Sequence, residues 1–68
     1  MKKYRYKDKV IQVINGLGGD VFFTGWYSWT SGGSHRLVSK DLPPRDTREK
    51  AQEDLDVWAE KKGLEAAR

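Results

Sequence analysis

The sequence contains no cysteine and a single histidine, His35. The missing thiols exclude disulfide bonds, thiolate zinc sites and cysteine nucleophiles, and one imidazole cannot build a histidine-rich metal site. We therefore expect no metal and no other cofactor. A chain without cysteine is also compatible with a reducing compartment, so we expect a cytoplasmic location.

Long apolar runs are missing as well. No stretch approaches the roughly 20 residues that span a bilayer, so we expect no membrane association. The first nine residues, "MKKYRYKDK", are basic, but no apolar stretch of signal-peptide length follows them, and secretion is not expected. A chain of 68 residues is long enough for one small domain, which we expect to cover residues 1–68. Its core should be small, because a chain of this length buries only about 60% of its unfolded surface.

The charges that are present are unevenly distributed. The formal net charge is +3, and the basic residues concentrate in segments 1–9 and 36–50. Residues 51–68 are net acidic. Such an arrangement suits a polyanionic partner, although solvated basic surfaces are also common in proteins that bind none.

The C-terminal third predicts a helix. Asp46 precedes "TREKAQEDLDVWAEKKG", and Glu49 follows three positions later, which is the pattern of a capping box with Asp46 as N-cap. Gly63 suits the left-handed position after a helix, with Leu64 folding back on Ala59. The residues at helical spacing form one narrow core-facing stripe: Ala51, Leu55, Trp58, Ala59 and Lys62.

Upstream of the helix the pattern has a period of two, which is typical of strands. We predict strands at 10–14, 21–29 and 35–39, separated by glycine-containing turns. Residues 4–6 either form their own strand, turned at Lys7-Asp8, or begin one long bent strand. Short loops favour antiparallel pairing, so the sequence predicts an α+β domain in which one helix covers one face of a three- or four-stranded sheet.

The strand at 21–29 has two different faces. The more apolar face, which we expect to receive the helix, carries Val21, Phe23, Tyr27 and Trp29. Gly25 lies on that face and would leave room for Trp58, unless a bulge at Gly25 exchanges the faces beyond it. Phe22 and Trp26 then point away from the helix. We predict that Trp29 and Trp58 are buried and that Trp26 is the most exposed tryptophan.

The segment "GLGG" at 16–19 has some likeness to a phosphate-binding loop. A dinucleotide fingerprint, however, requires a further glycine where this chain has Val21, and a helix where a strand is predicted. A flexible hairpin loop is the favoured interpretation.

Ser34 and His35, with Asp41 or Asp46 nearby in sequence, supply the residue types of a nucleophilic triad. A triad needs rigid positioning and an oxyanion site, for which so short a chain has little depth. Serine beside a Gly-Gly turn is ordinary turn chemistry. We therefore expect no enzymatic activity, and a small hydrolase is the weakest of the interpretations.

Basic residues interleaved with aromatic ones are the stronger functional signal. Proteins that bind nucleic acids use lysine and arginine to contact phosphates and aromatic rings to stack on bases. The candidate binding residues are Lys7, Lys9, Trp26, Arg36 and Lys40.

The order of strands followed by a helix that begins "DTREKAQEDLDVWAEKKGL" resembles the arm-type DNA-binding domains of phage and transposon integrases, and small prophage-encoded proteins of similar length. The resemblance implies a sheet that lies in the major groove with the helix behind it. It also implies that Lys7, Lys9, Arg36 and Lys40 face nucleic acid. The chain lacks a recombinase catalytic domain, so strand cleavage is not implied.

The sequence therefore predicts a non-enzymatic accessory module that binds DNA or RNA. The alternative is a protein-interaction module that uses the uncovered sheet face or a sheet edge. Because an uncovered aromatic face favours self-association, we expect a monomer or a weak homodimer.

Overall fold

The computed structural model describes residues 2–16, 18–28, 30 and 32–67. Across these residues the fold is α+β, as predicted, with a sheet of five antiparallel strands in the order β4-β3-β2-β1-β5 and one helix. The sheet thus has more strands than the three or four expected. The elements are β1 (Lys3–Tyr6), β2 (Lys9–Asn15), β3 (Phe22–Tyr27), β4 (Ser34–Arg36), α1 (Arg48–Lys62) and β5 (Ala66–Ala67).

The two additional strands lie on the β1 side of the sheet. β1 is a separate strand that turns into β2 at Lys7, whose φ of 57° is left-handed. β5 follows the helix and pairs with β1 through Lys3 and Ala67. A two-residue strand of alanines carries no periodic signal, which is why the sequence did not predict β5.

The strand predicted at 35–39 is shorter than expected and lies at 34–36. The chain beyond it is held by other contacts. Leu42 is buried in the core, and Arg45 exchanges two backbone hydrogen bonds of 2.8 Å with Phe22. The Arg45 side chain donates from Nε and Nη2 to the carboxylate of Asp54, at 2.7 and 3.1 Å, which raises the pKa of Arg45.

The helix begins one residue later than the capping-box pattern predicted. Thr47 is the N-cap, with extended dihedrals of −133° and 152°, and its side chain accepts from the amide of Lys50 at 3.2 Å. The prediction that Asp46 caps the helix is therefore wrong. The Asp46 carboxylate instead accepts from Lys50 Nζ at 3.2 Å, and this hydrogen bond lowers the pKa of Asp46.

The helix ends as predicted. Gly63 has φ 67° and ψ 34°, and its amide donates to the Glu60 carbonyl at 3.2 Å. The Leu64 amide donates to the Ala59 carbonyl at 2.9 Å, which completes a Schellman ending. No helix within the described ranges is both long and apolar enough to cross a membrane.

The core lies between α1 and one face of the sheet. It consists of Tyr4, Ile11, Val13, Leu42, Ala51, Leu55, Trp58 and Ala59. The predicted burial of the helical stripe is confirmed for its four apolar residues. The fifth, Lys62, places Nζ 5.7 Å from the centre of the Trp58 ring.

The face of β3 that receives the helix is the opposite of the predicted one. Val13, which is in the core, pairs with Thr24, so Thr24 lies on the helix side and is only 2% exposed. Phe22 and Trp26 alternate with Thr24 and pack against the core. The apolar residues of β3 did not predict its inward face, because the pairing register with the buried strand β2 decides which face of β3 contacts the helix.

The side of β3 expected to be buried is exposed at both ends. Val21 is 42% exposed and Tyr27 is 58% exposed. The contact predicted between Gly25 and Trp58 is also wrong, because Gly25 pairs with Gln12 on the face away from the helix, where a side chain would overlap the backbone of His35. Trp58 is buried, as predicted, and Trp26 is more exposed than Trp58. The predicted burial of Trp29 concerns a residue that lies outside the described ranges.

Candidate functional site

The sheet has one face without a helix, which we call the open face. Alternation along each strand and the pairing register place on it Lys3, Arg5, Val10, Gln12, Ile14, Phe23, Gly25, Tyr27, Ser34 and Arg36. One end is closed, because Ile14 is buried and its partner Phe23 is half-buried. The other end is exposed, around Val10 and Tyr27.

Cations stand at both ends of one cross-strand row on the open face. Gln12 pairs with Gly25, and Gly25 pairs with Arg36. The register of β1 with β2 adds Lys3 beside Gln12. With neighbouring strands about 4.8 Å apart, the Cα atoms of Lys3 and Arg36 are about 14 Å apart across the sheet.

Arg5 provides a third cation on the open face. It pairs with Val10 in the row next to Lys3, and its side chain is exposed. The Arg5 amide donates to the Glu65 backbone carbonyl at 2.9 Å. The residues that make up the open face include three cations and no carboxylate, and Asp8 lies in the neighbouring β1–β2 turn. Asp8 accepts from Lys9 Nζ at 3.1 Å, and this bond lowers the pKa of Asp8. The positive charge of the face therefore exceeds the negative charge.

A groove of about 670 Å³ lies at the exposed end of the sheet and includes residues of both faces, because Lys9 and Trp26 alternate with the open-face residues Val10 and Tyr27. Its apolar part includes Val10, which is 38% exposed, and Tyr27. The residues that line it are Lys3, Asp8, Lys9, Val10, Gln12, Trp26, Tyr27, Ser28 and Thr30. The groove thus combines an aromatic ring with hydroxyl, amide and ammonium groups.

Gly25 is what allows β4 to approach β3 so closely. A Cβ atom at this position would overlap the carbonyl oxygen of His35 and would lie 3.2 Å from the Cα of Arg36. Because these atoms belong to the backbone, no side-chain rotation could relieve the overlap. The glycine therefore holds Arg36 in its row on the open face.

The structure distributes the five predicted binding residues over several regions. Trp26 is half-buried on the helix side, where it stacks on His35 with ring centres 5.6 Å apart. Lys9 Nζ lies 4.8 Å from the centre of the Trp26 ring, so these two predicted residues do come together. Lys7 lies in the β1–β2 turn, 5.3 Å from the centre of the Tyr6 ring.

The other two predicted residues lie elsewhere. Arg36 belongs to the open face, and the pairing register puts it on the side of the sheet opposite the Trp26 ring. Lys40 is exposed in the segment between β4 and α1. The predicted set is therefore not a single patch.

Three members of the open face were not predicted from the sequence: Lys3, Arg5 and Tyr27. The alternation in "KYRYK" contained the signal for the first two. Tyr4 is buried against the helix, so its neighbours Lys3 and Arg5 must point the other way. Tyr27 was missed because its face was expected to be covered by α1.

A buried tyrosine joins β1 to the helix on the other side of the sheet. The hydroxyl of Tyr4 donates to Asp56 Oδ1 at 2.7 Å, and Gln52 Nε2 donates to the same oxygen at 2.9 Å. Burial, together with the hydrogen bond to Asp56 and the negative charge of that carboxylate, raises the pKa of Tyr4 to about 12. These bonds fix β1 against α1 and leave Lys3 and Arg5 directed outward.

The residue types of the possible triad are not assembled. Neighbouring residues of β4 point to opposite faces, which separates Ser34 from His35. Asp46 is engaged with Lys50 at the start of the helix.

In the part of the chain that the structure describes, no three His, Cys, Asp or Glu residues are grouped so that they could hold a metal ion.

Comparison with known proteins adds no relative. No protein-family model matches the chain, and no significant match was found among curated proteins or solved structures.

Proposed function

We propose that this protein is a non-enzymatic accessory module, cytoplasmic in location, that binds nucleic acid through the open face. The observation that carries the proposal is the grouping of Lys3, Arg5 and Arg36 around the exposed Tyr27 on the face without a helix. The three cations would contact phosphates, and the aromatic ring would contact a base. The resemblance to integrase arm-type domains remains part of the proposal, with this different set of residues.

Charge on the rest of the domain favours one orientation. Five residues of α1 are acidic and four are basic, and Asp54 is paired with Arg45, so the helix side carries little net charge. The open face carries three cations, so the charge distribution would steer an approaching polyanion toward the open face.

Affinity measured by fluorescence anisotropy as a function of salt tests the proposal. Neutralising about three phosphates should give a slope of log K against log salt of about −2 to −3. Replacing Lys3, Arg5 and Arg36 together by glutamine should abolish most of the binding and flatten the slope.

The matched control removes the same amount of charge elsewhere, by glutamine at Lys40, Lys50 and Lys61. All three lysines are exposed and lie outside the open face. The control should retain most of the affinity, although the resemblance would place Lys40 in the interface. Absence of binding to single-stranded and duplex oligonucleotides at low salt would rule out the proposed function.

A protein-interaction module is the second candidate, and the edge strand β4 favours it. All three residues of β4 are exposed, and Val38, just beyond the strand, is 80% exposed. An uncovered edge can pair with a strand of another chain. Such binding relies on backbone hydrogen bonds and apolar contact, so salt should change its affinity little.

A further inference from the structure

We propose that the ligand of the open face is single-stranded RNA, with one base stacked on Tyr27 in the groove. This inference rests on the proposed function and specifies its substrate class. It differs from the expectation that the sheet enters the major groove of a duplex.

The width of the sheet argues against a duplex. The major groove of B-form DNA is about 12 Å wide and admits a helix or a two-stranded ribbon. The backbones of β1 to β4 alone span about 14 Å, before any side chain is counted. The deep, narrow major groove of an RNA duplex is still less accessible. The open face is too broad to be inserted into either.

A single strand suits the groove because its bases are free to stack. Tyr27 is 58% exposed, and it lines the groove together with the apolar side chain of Val10. Stacking of a base on an aromatic ring requires no particular sequence, since every base has a flat face. Tyr27 is therefore the expected stacking platform.

The neutral polar groups of the groove favour RNA over DNA. Gln12 contributes an amide, and Ser28 and Thr30 contribute hydroxyls whose oxygens are 3.2 Å apart. These groups both donate and accept, as the ribose 2′-hydroxyl does, and contacts to that hydroxyl let a protein distinguish RNA from DNA.

Lysines at the groove complete the site. Lys3 lines it and continues the row that ends at Arg36, while Lys9, which also lines it, is paired with Asp8. A strand lying across the sheet along this row would have a cation near each end of the stacked segment. Phosphate contacts of this kind position the strand without reading its sequence.

The test compares three labelled probes of mixed sequence: a single-stranded RNA of about eight nucleotides, the DNA of the same sequence, and the RNA annealed to its complement. At low salt we expect the single-stranded RNA to bind at least about tenfold more tightly than the duplex and more tightly than the DNA. Tyr27→Phe should keep the affinity, and Tyr27→Ala should lose about tenfold or more.

Val38→Ala serves as the control for loss of an exposed apolar side chain outside the groove, and thermal melts verify that each variant is folded. Equal or tighter duplex binding, or an unchanged affinity of Tyr27→Ala, would overturn the single-strand assignment while leaving the proposed function intact. Equal binding of DNA would overturn the assignment to RNA. Absence of binding to every probe would overturn both proposals.

Discussion

Replacing Gly25 by alanine would test whether β4 pairs with β3 as closely as described. The new Cβ would overlap the His35 carbonyl oxygen and lie 3.0 Å from its carbonyl carbon. Relief of this overlap requires the backbone of β4 to move away. Overpacking of this kind costs about 1–3 kcal/mol, whereas alanine regains about 0.5–1 kcal/mol relative to glycine in a strand.

The difference between these two contributions is about 0–2.5 kcal/mol, and because the overlap is with backbone atoms the net loss of unfolding free energy should lie in the upper part of that range, at about 1–2.5 kcal/mol. In a domain of this size that corresponds to a fall in Tm of roughly 4–20 °C, measurable by circular dichroism. The Leu37 amide, which donates to the Thr24 carbonyl at 2.9 Å beyond β4, should also exchange faster with solvent.

Gly33→Ala is the matched control, because a Cβ there would meet nothing within 4 Å. Its Tm should be unchanged or slightly higher. A Gly25→Ala variant that melts at or above the temperature of the unmodified protein would refute the close approach of β4.

The remaining predictions concern the helix ends and the buried tyrosine. Thr47→Ala should destabilise the domain by about 1 kcal/mol through loss of the N-cap, and Asp46→Ala should have a smaller effect. If thermal melts show the larger loss for Asp46→Ala, Asp46 is the N-cap. Gly63→Val should lower the Tm more than Gly63→Asn, because a β-branched residue resists the left-handed φ of 67°; equal losses would argue against that conformation. Because the pKa of Tyr4 is raised from 10.0 to about 12 in the fold, stability should be lost as the pH rises from 10 through 12. Urea unfolding at a series of pH values should show that Tyr4→Phe removes this alkaline loss of stability. An unchanged dependence of the unfolding free energy on pH would contradict the burial of the hydroxyl.

Local features were predictable from the sequence. The Schellman ending at Gly63 and the buried stripe through Leu55 and Trp58 depend on residues a few positions apart, and both are confirmed. The start of the helix was predicted one residue too early, because Asp46 and Thr47 are both good N-caps and only the backbone dihedrals distinguish them.

Features that depend on pairing between distant residues were not predictable in the same way. The inward face of β3 is set by the pairing of Thr24 with Val13, and Thr24 gives no apolar signal of its own. Because the inward face of β3 was predicted wrongly, Tyr27 was assigned to the core and left out of the candidate site, whereas Arg36 was identified. Lys3 and Arg5 could have been found by extending the alternation from Tyr4, had β1 been recognised as a separate strand.

Binding of single-stranded RNA through the open face can be observed residue by residue in an NMR titration of the ¹⁵N-labelled protein at low salt with an RNA of about eight nucleotides. The amide shifts should change first and most strongly on the open face, at Lys3, Arg5, Gln12, Tyr27 and Arg36, with little change along the outer surface of α1. Shift changes concentrated on α1, or no changes at all, would contradict binding through the open face.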